Sequence, residues 1–166
     1  MGLYKPAAGS APEKPQPVLY ILCGLPFSGK STAARQLAEA KDADIVELDA
    51  VNTELGIGLT PITPEEWSRS YKECYQRLQR LLRAGRSAIF DATNFTLRQR
   101  DEVRQVATDA GADAVVVYVR LTRAIAERRF LENRLNRRRH DIRDEDFAHV
   151  ADNFEEPGDD EATIFV

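Results

Sequence analysis

Residues Gly24-Leu25-Pro26-Phe27-Ser28-Gly29-Lys30-Ser31 follow the pattern G-x-x-x-x-G-K-[ST]. Before them, Val18 to Cys23 is a continuous apolar run rich in strand formers; after them, Ser31 to Ala40 reads as a helix. A strand, a glycine-containing loop and a helix in this order are the context in which the pattern cradles phosphate. Glycines let backbone N–H groups curl around phosphate oxygens where a side chain would block the approach. The helix start adds unpaired N–H groups and a positive dipole end. Gly24, Phe27, Ser28, Gly29, Lys30, Ser31 and Thr32 are therefore the candidate nucleotide-binding residues. Lys30 would reach the β- and γ-phosphates of ATP or GTP, and the Ser31 hydroxyl would hold Mg2+.

The rest of the chain alternates strands and helices. Asp44 to Leu48 reads as a second strand. Thr63-Pro64-Glu65-Glu66 opens a helix, with Thr63 as N-cap, Pro64 in the first turn and Glu66 closing a capping box. Trp67, Tyr71, Cys74, Tyr75, Leu78, Leu81 and Leu82 follow at helical spacing and read as core, and Gly85 ends the helix. Ser87 to Phe90 is a third strand ending at Asp91. Thr96 with Gln99 opens the next helix, which Gly111 closes. Ala114 to Leu121 is a fourth strand, an Arg-rich helix follows from Thr122, a further helix spans about 145–154, and Ala162 to Val166 is a fifth strand. Near-continuous apolar strands between helices predict a parallel sheet covered on both faces, with ligands beyond the carboxyl ends of the strands.

A chain of 166 residues suits one α/β domain, expected over 18–166, with a Pro-rich flexible tail over 1–17. The net charge of −4 gives no global attraction to nucleic acid or to an anionic membrane. Cys23 and Cys74 have no metal or redox spacing and read as reduced core thiols of a cytoplasmic protein. No apolar run reaches membrane-spanning length, so no membrane partner is expected.

Strand-end placement then picks out chemistry. Asp49 follows the second strand and Asp91 the third, so both open toward the P-loop edge. One carboxylate there can help hold Mg2+, and another can orient an acceptor hydroxyl and take its proton. Asn94 is either a substrate contact or a structural amide tying its loop in place. Arginines concentrate over 123–143, and Arg134 and Arg138 share a helix face, as do Arg100 and Arg104. Planar, permanently charged guanidinium groups suit phosphate oxygens, so this stretch is expected to form an anion site.

The set GLPFSGKST, LDAVNTELG, FDATNFTLRQR, an Arg-rich helix and Phe154-Glu155-Glu156-Pro157 resembles the small P-loop kinases related to the kinase domain of polynucleotide 5′-hydroxyl kinase. Chloramphenicol phosphotransferase and zeta-toxin kinases are more distant relatives. The resemblance covers 18–166. It implies a three-layer nucleoside monophosphate kinase-like α/β fold, five parallel strands ordered 2-3-1-4-5, and an arginine-bearing lid over about 123–143. It makes Asp49 the base for the acceptor hydroxyl, Asp91 and Arg100 residues of the substrate and metal site, and Arg134 and Arg138 the contacts to donor phosphate. The chain departs from the family in three respects, one being that the spacing of Arg128 and Arg129 to Arg134 does not register on the family's lid pattern. Asn52 stands where those kinases commonly carry an acceptor-binding Arg, and Phe27 where the loop usually has Gly.

The resulting expectation is an ATP-dependent phosphotransferase. Lys30, Asp49, Arg134 and Arg138 would be catalytic, Ser31 and Asp91 would bind metal, and Asp49, Asn52, Asp91, Asn94 and Arg100 would contact a hydroxyl-bearing small molecule. A nucleic-acid 5′ end as acceptor, and a nucleotide-binding regulator or slow ATPase with no acceptor, are the alternatives.

Overall fold

A computed structural model describes residues 15–58, 61–138 and 141–166. Residues 1–14 of the expected tail, and Arg139 of the arginine stretch, lie outside them. Gln16 and Pro17 already belong to the folded body: Gln16 Nε2 donates to the Gly111 carbonyl, and the Pro17 carbonyl accepts from the Asp113 amide.

The elements are β1 (Val18–Cys23), α1 (Lys30–Lys41), β2 (Asp44–Glu47), α2 (Leu48–Glu54), α3 (Pro64–Arg83), β3 (Ala88–Asp91), α4 (Leu97–Asp109), β4 (Asp113–Tyr118), α5 (Arg123–Asn136), α6 (Asp144–Asp152) and β5 (Thr163–Phe165). The five strands are parallel in the order β2-β3-β1-β4-β5. This is the expected sheet and topology.

Alternation along β1 divides the core between two faces. Leu19, Ile21 and Cys23 pack with Cys74, Leu78 and Leu82 of α3 and Val103, Val106 and Ala107 of α4. Tyr20 and Leu22 face the opposite way, onto Ala34 and Leu37 of α1. A third cluster of Leu25, Ala126, Phe130 and Phe147 joins the P-loop to α5 and α6. Cys23 and Cys74 are free, buried thiols, and burial pushes them up to about 11 and about 12 respectively.

Both predicted capping boxes form, Thr63 with Glu66 and Thr96 with Gln99. The second strand is shorter than expected. It stops at Glu47, and Leu48 begins α2, a helix the apolar pattern concealed. The helix buries Leu48, Val51 and Asn52 at spacings of three and four. Asp49 thus sits in the first turn of a helix, not in a loop after a strand. Among the described residues, no helix is long and apolar enough to cross a membrane.

Candidate active site

The P-loop leaves β1 at Gly24, where sterics require glycine. A Cβ there would lie 2.8 Å from both Ser28 Oγ and the Val119 carbonyl. The Gly24 amide donates to the Thr93 carbonyl, which joins the loop to the segment after β3. Gly29 takes φ +106 as it enters α1. Lys30 lies along the loop, its Nζ donating to the carbonyls of Gly24 (3.0 Å) and Leu25 (2.8 Å). Ser28 Oγ is buried and makes no hydrogen bond among the described residues. A buried hydroxyl left open in a loop that leads into a helix start suits an anionic oxygen, so the loop fits a nucleotide phosphate.

Phe27 replaces the glycine usual in such loops and adopts the glycine-like conformation, at φ +63. A left-handed L-residue costs about 1–2 kcal/mol, which the surroundings must offset. Its ring meets Phe130 of α5 at 5.6 Å, and Phe130 stacks on Phe147 of α6 at 4.8 Å. Arg129 adds to this contact by donating to the carbonyls of Phe27 and Ser28 at 3.2 and 3.3 Å. The tip of the P-loop is therefore held against α5 by a ring and a guanidinium.

At the ends of β2 and β3, Glu47 pairs in register with Asp91. The Asp91 carboxyl is buried and shares a hydrogen bond with the Ser31 hydroxyl. Burial pushes its pKa up, against the pull of that bond and of Lys30, and the Asp49 carboxylate pushes it up further. Glu47 is raised as well, by burial and then by Asp91 and Asp49. These carboxylates, with Lys30 and Arg35, share one electrostatic neighbourhood. Among the described residues, no three His, Cys, Asp or Glu side chains converge to hold a metal by themselves. Ser31 and Asp91 are two hard oxygen donors of the kind that would suit Mg2+, which keeps water and phosphate as its other ligands.

Several expected residues fall elsewhere. Arg100 was assigned to the substrate, but its guanidinium is fully buried. Nε and Nη2 pair with Glu161 at 2.8 Å each, and Nη1 donates to the carbonyls of Asn94 (3.1 Å) and Glu155 (3.0 Å). Arg104 also binds Glu161. The shared face of Arg100 and Arg104 is real, but the anion it binds is an internal carboxylate. Asn94 is buried too, with φ +43 and Nδ2 donating to the Leu22 carbonyl at 2.7 Å, so its amide ties the loop after β3 to β1. Asn52 is buried on α2, one turn beyond Asp49, with Oδ1 unpaired among the described residues.

The arginine stretch is mostly neutralised by its neighbours. Arg123 pairs with Asp152, Arg128 with Glu132, and Arg143 with Asp146. Arg134 pairs with Asp144 at 2.8 Å, donates to the Ile142 carbonyl and covers the Phe130 ring at 4.5 Å. Arg138 is exposed beyond the end of α5. Among the described residues, the arginine of this stretch that bonds to the P-loop is Arg129, where sequence reasoning had favoured Arg134 and Arg138. The adjacent Phe130, apolar on a charged helix and spaced to face the loop, was the available signal.

Residues 19–157 match the sequence family AAA_33, an AAA domain. The chain belongs to this family. Solved structures similar to this AAA domain include Chaetomium thermophilum Kti12 in complex with ADP-AlF3, at 21% identity and TM-score 0.70 over 89% of this chain and 88% of that one. The Mycobacterium tuberculosis APS kinase CysC in complex with AMPPNP and APS aligns at 20% identity and TM-score 0.66, over 91% and 89% of the two chains. A chain of the Pnkp1/Rnl/Hen1 RNA repair complex aligns at 26% identity and TM-score 0.71, over 82% of this AAA domain but 43% of that chain.

Proposed function

We propose that this AAA-domain protein is an ATP-dependent phosphotransferase that moves the γ-phosphate to a hydroxyl of a small molecule or nucleotide. The observation that carries the reading is the gathering of Lys30, the Ser31–Asp91 pair and Asp49 at one edge of the sheet. The neighbours solved with ADP-AlF3 and with AMPPNP support a nucleoside triphosphate as donor. In this reading the P-loop amides and Lys30 hold the β- and γ-phosphates. Asp49 takes the proton of the acceptor hydroxyl as its oxygen attacks phosphorus and ADP leaves. Mg2+, held through Ser31 and Asp91, supplies charge neutralisation on the phosphates when bound. Arg129, already at the loop, neutralises the transferring group, and the α5–α6 unit closes over the donor as a lid. Two thiols that stay buried and reduced suit a cytoplasmic enzyme.

Polynucleotide 5′-hydroxyl kinase is the second reading, favoured by the 26% identity to the RNA-repair chain. It lacks the phosphate clamp that Arg100 would have offered, because Glu161 holds that guanidinium.

The test compares wild type with Asp49→Asn, which keeps size and removes the proton acceptor. Nucleotide-induced thermal stabilisation is expected in both proteins. Transfer from labelled ATP is expected to fall about a hundredfold or more in the variant. Stabilisation of wild type by no nucleotide refutes the reading. Equal transfer by both proteins removes Asp49 from catalysis. Hydrolysis without transfer to any acceptor favours a regulator or slow ATPase.

A further inference from the structure

Trp67, Tyr71 and Tyr75 recur every four residues on α3 and so share one face. Their ring centroids are 6.1 and 5.9 Å apart in succession. Tyr71 and Tyr75 rest edge-on against Phe90, the residue before Asp91. Trp67 extends the row beyond them and is 38% exposed, although its spacing had read as core.

The position of this row relative to the chemistry follows from topology. α3 enters β3 through the short connection at 84–87 and runs antiparallel to it, so the start of α3 reaches past the end of β3 that carries Asp91, on the side where α2 with Asp49 packs. Helical side chains lean toward the N-terminus, which tilts the row toward the same edge. Arg69 holds α2 against these first turns by donating to the Leu55 carbonyl at 3.1 Å. Tyr71 lies near enough to feel the Asp49 carboxylate: burial first, then Cys74, Glu102 and Asp49, raise its phenol to about 12.

Charge narrows what such a wall can receive. Glu65 and Glu66 immediately precede Trp67, and Glu47 and Glu54 flank Asp49 in sequence. Of the nearby cations, Arg77 is paired with Glu54 and Glu73, Arg98 with Glu102 and Arg100 with Glu161, whereas Lys72 beside Tyr71 and Arg69, which donates to a backbone carbonyl, belong to no ion pair among the described residues. A chain of phosphates would find no surplus of cations here, whereas an uncharged planar ring can stack on the part-exposed indole and hydroxyls meet acceptors.

We propose that Trp67 and Tyr71 form the stacking wall of the acceptor subsite, and that the acceptor is a nucleoside, an uncharged flat base joined to the hydroxyl that Asp49 deprotonates. This rests on the phosphotransferase reading and names its substrate class.

Trp67 is the single tryptophan of the chain, so intrinsic fluorescence reads the subsite directly. The full chain, with MgADP present, is titrated with adenosine, guanosine, cytidine and uridine, and with ribose as control, to about 10 mM, the range of weak small-ligand binding. A saturable change with at least one nucleoside and none with ribose is expected. In the transfer assay, Trp67→Ala is expected to raise the nucleoside KM about tenfold or more with kcat nearly unchanged, and Trp67→Phe to retain most of the affinity. Thermal midpoints confirm that the variants fold. No saturable change with any nucleoside, or an unchanged KM in Trp67→Ala, overturns the proposal. Transfer to a ring-free polyol without a fluorescence change overturns the subsite and leaves the phosphotransferase standing. Saturable quenching with no transfer in wild type supports the subsite and overturns the phosphotransferase. A response confined to 5′-hydroxyl oligonucleotides and lost with salt overturns the uncharged acceptor.

Discussion

Replacing Glu161 by Gln keeps the side chain's shape and removes the charge that Arg100 and Arg104 share. The Glu161 side chain is 4% exposed and that of Arg100 is fully buried, so solvent screens little of the pair. Burial pushes the Glu161 carboxyl up, but hydrogen bonds from Arg100, the Gly158 amide and Arg104 outweigh it and bring the value from 4.5 to about 2. That gap corresponds to about 3 kcal/mol of stability. Because the folded value is depressed, the contribution is complete above the unfolded value of 4.5 and is lost as pH falls from there through about 2. At neutral pH the variant leaves Arg100 buried opposite a neutral amide, for which a loss of about 3–5 kcal/mol is typical. Urea unfolding followed by circular dichroism, at neutral pH and near pH 3, measures both. Wild type should exceed Glu161→Gln by about 3 kcal/mol at pH 7 and by about half that near pH 3. Parallel pH dependence in the two proteins would refute the assignment of the acid response to this carboxylate.

Two further outcomes follow from the contact between the P-loop and α5. Phe27→Gly relieves the left-handed strain while losing the ring on Phe130, so global stability should change by no more than about 1 kcal/mol. Hydrogen exchange over α5 should nonetheless accelerate, and unchanged protection would mean that the ring does not seat the helix. Arg129→Ala should lower nucleotide turnover about a hundredfold if its guanidinium meets developing charge. Arg134→Ala, which breaks contacts internal to α5 and α6, should mainly lower the thermal midpoint. The reverse order in a side-by-side assay returns the catalytic role to Arg134.

The legible parts of this molecule were those written in short-range patterns. The P-loop, both capping boxes, the five strands and most of their covering helices depend on neighbours within a few residues and appear close to where the sequence pointed, although β2 stops before Leu48 and β4 ends at Tyr118, three residues short of the expected Leu121. α2 was hidden because Asp44 to Leu48 satisfies a strand pattern until Leu48 is counted with Val51 and Asn52 instead. The fate of Arg100 was hidden for another reason. Its partner Glu161 lies 61 residues away, and an arginine one turn from another arginine looks alike whether it faces a phosphate or a buried carboxylate. Arg129 was passed over because helical phase alone does not say which arginine of a crowded segment meets the loop. Phe27 was visible as a departure, but that its ring would anchor α5 required knowing where Phe130 packs.

The strand order also has a consequence for synthesis. β1 is central in the sheet, yet it precedes both of its neighbours in the chain: Leu19 pairs with Ala88 and Ala114. At translation rates of about 5–20 residues per second, this apolar strand waits roughly 3–20 s for either side to be covered. During that interval both of its hydrogen-bonding edges are open and nothing in the emerged chain can form the native pair. A nascent chain of this topology is therefore most exposed to aggregation early in synthesis, and a holdase that grips Val18 to Cys23 before β3 emerges would act on the segment that becomes the central strand of the sheet.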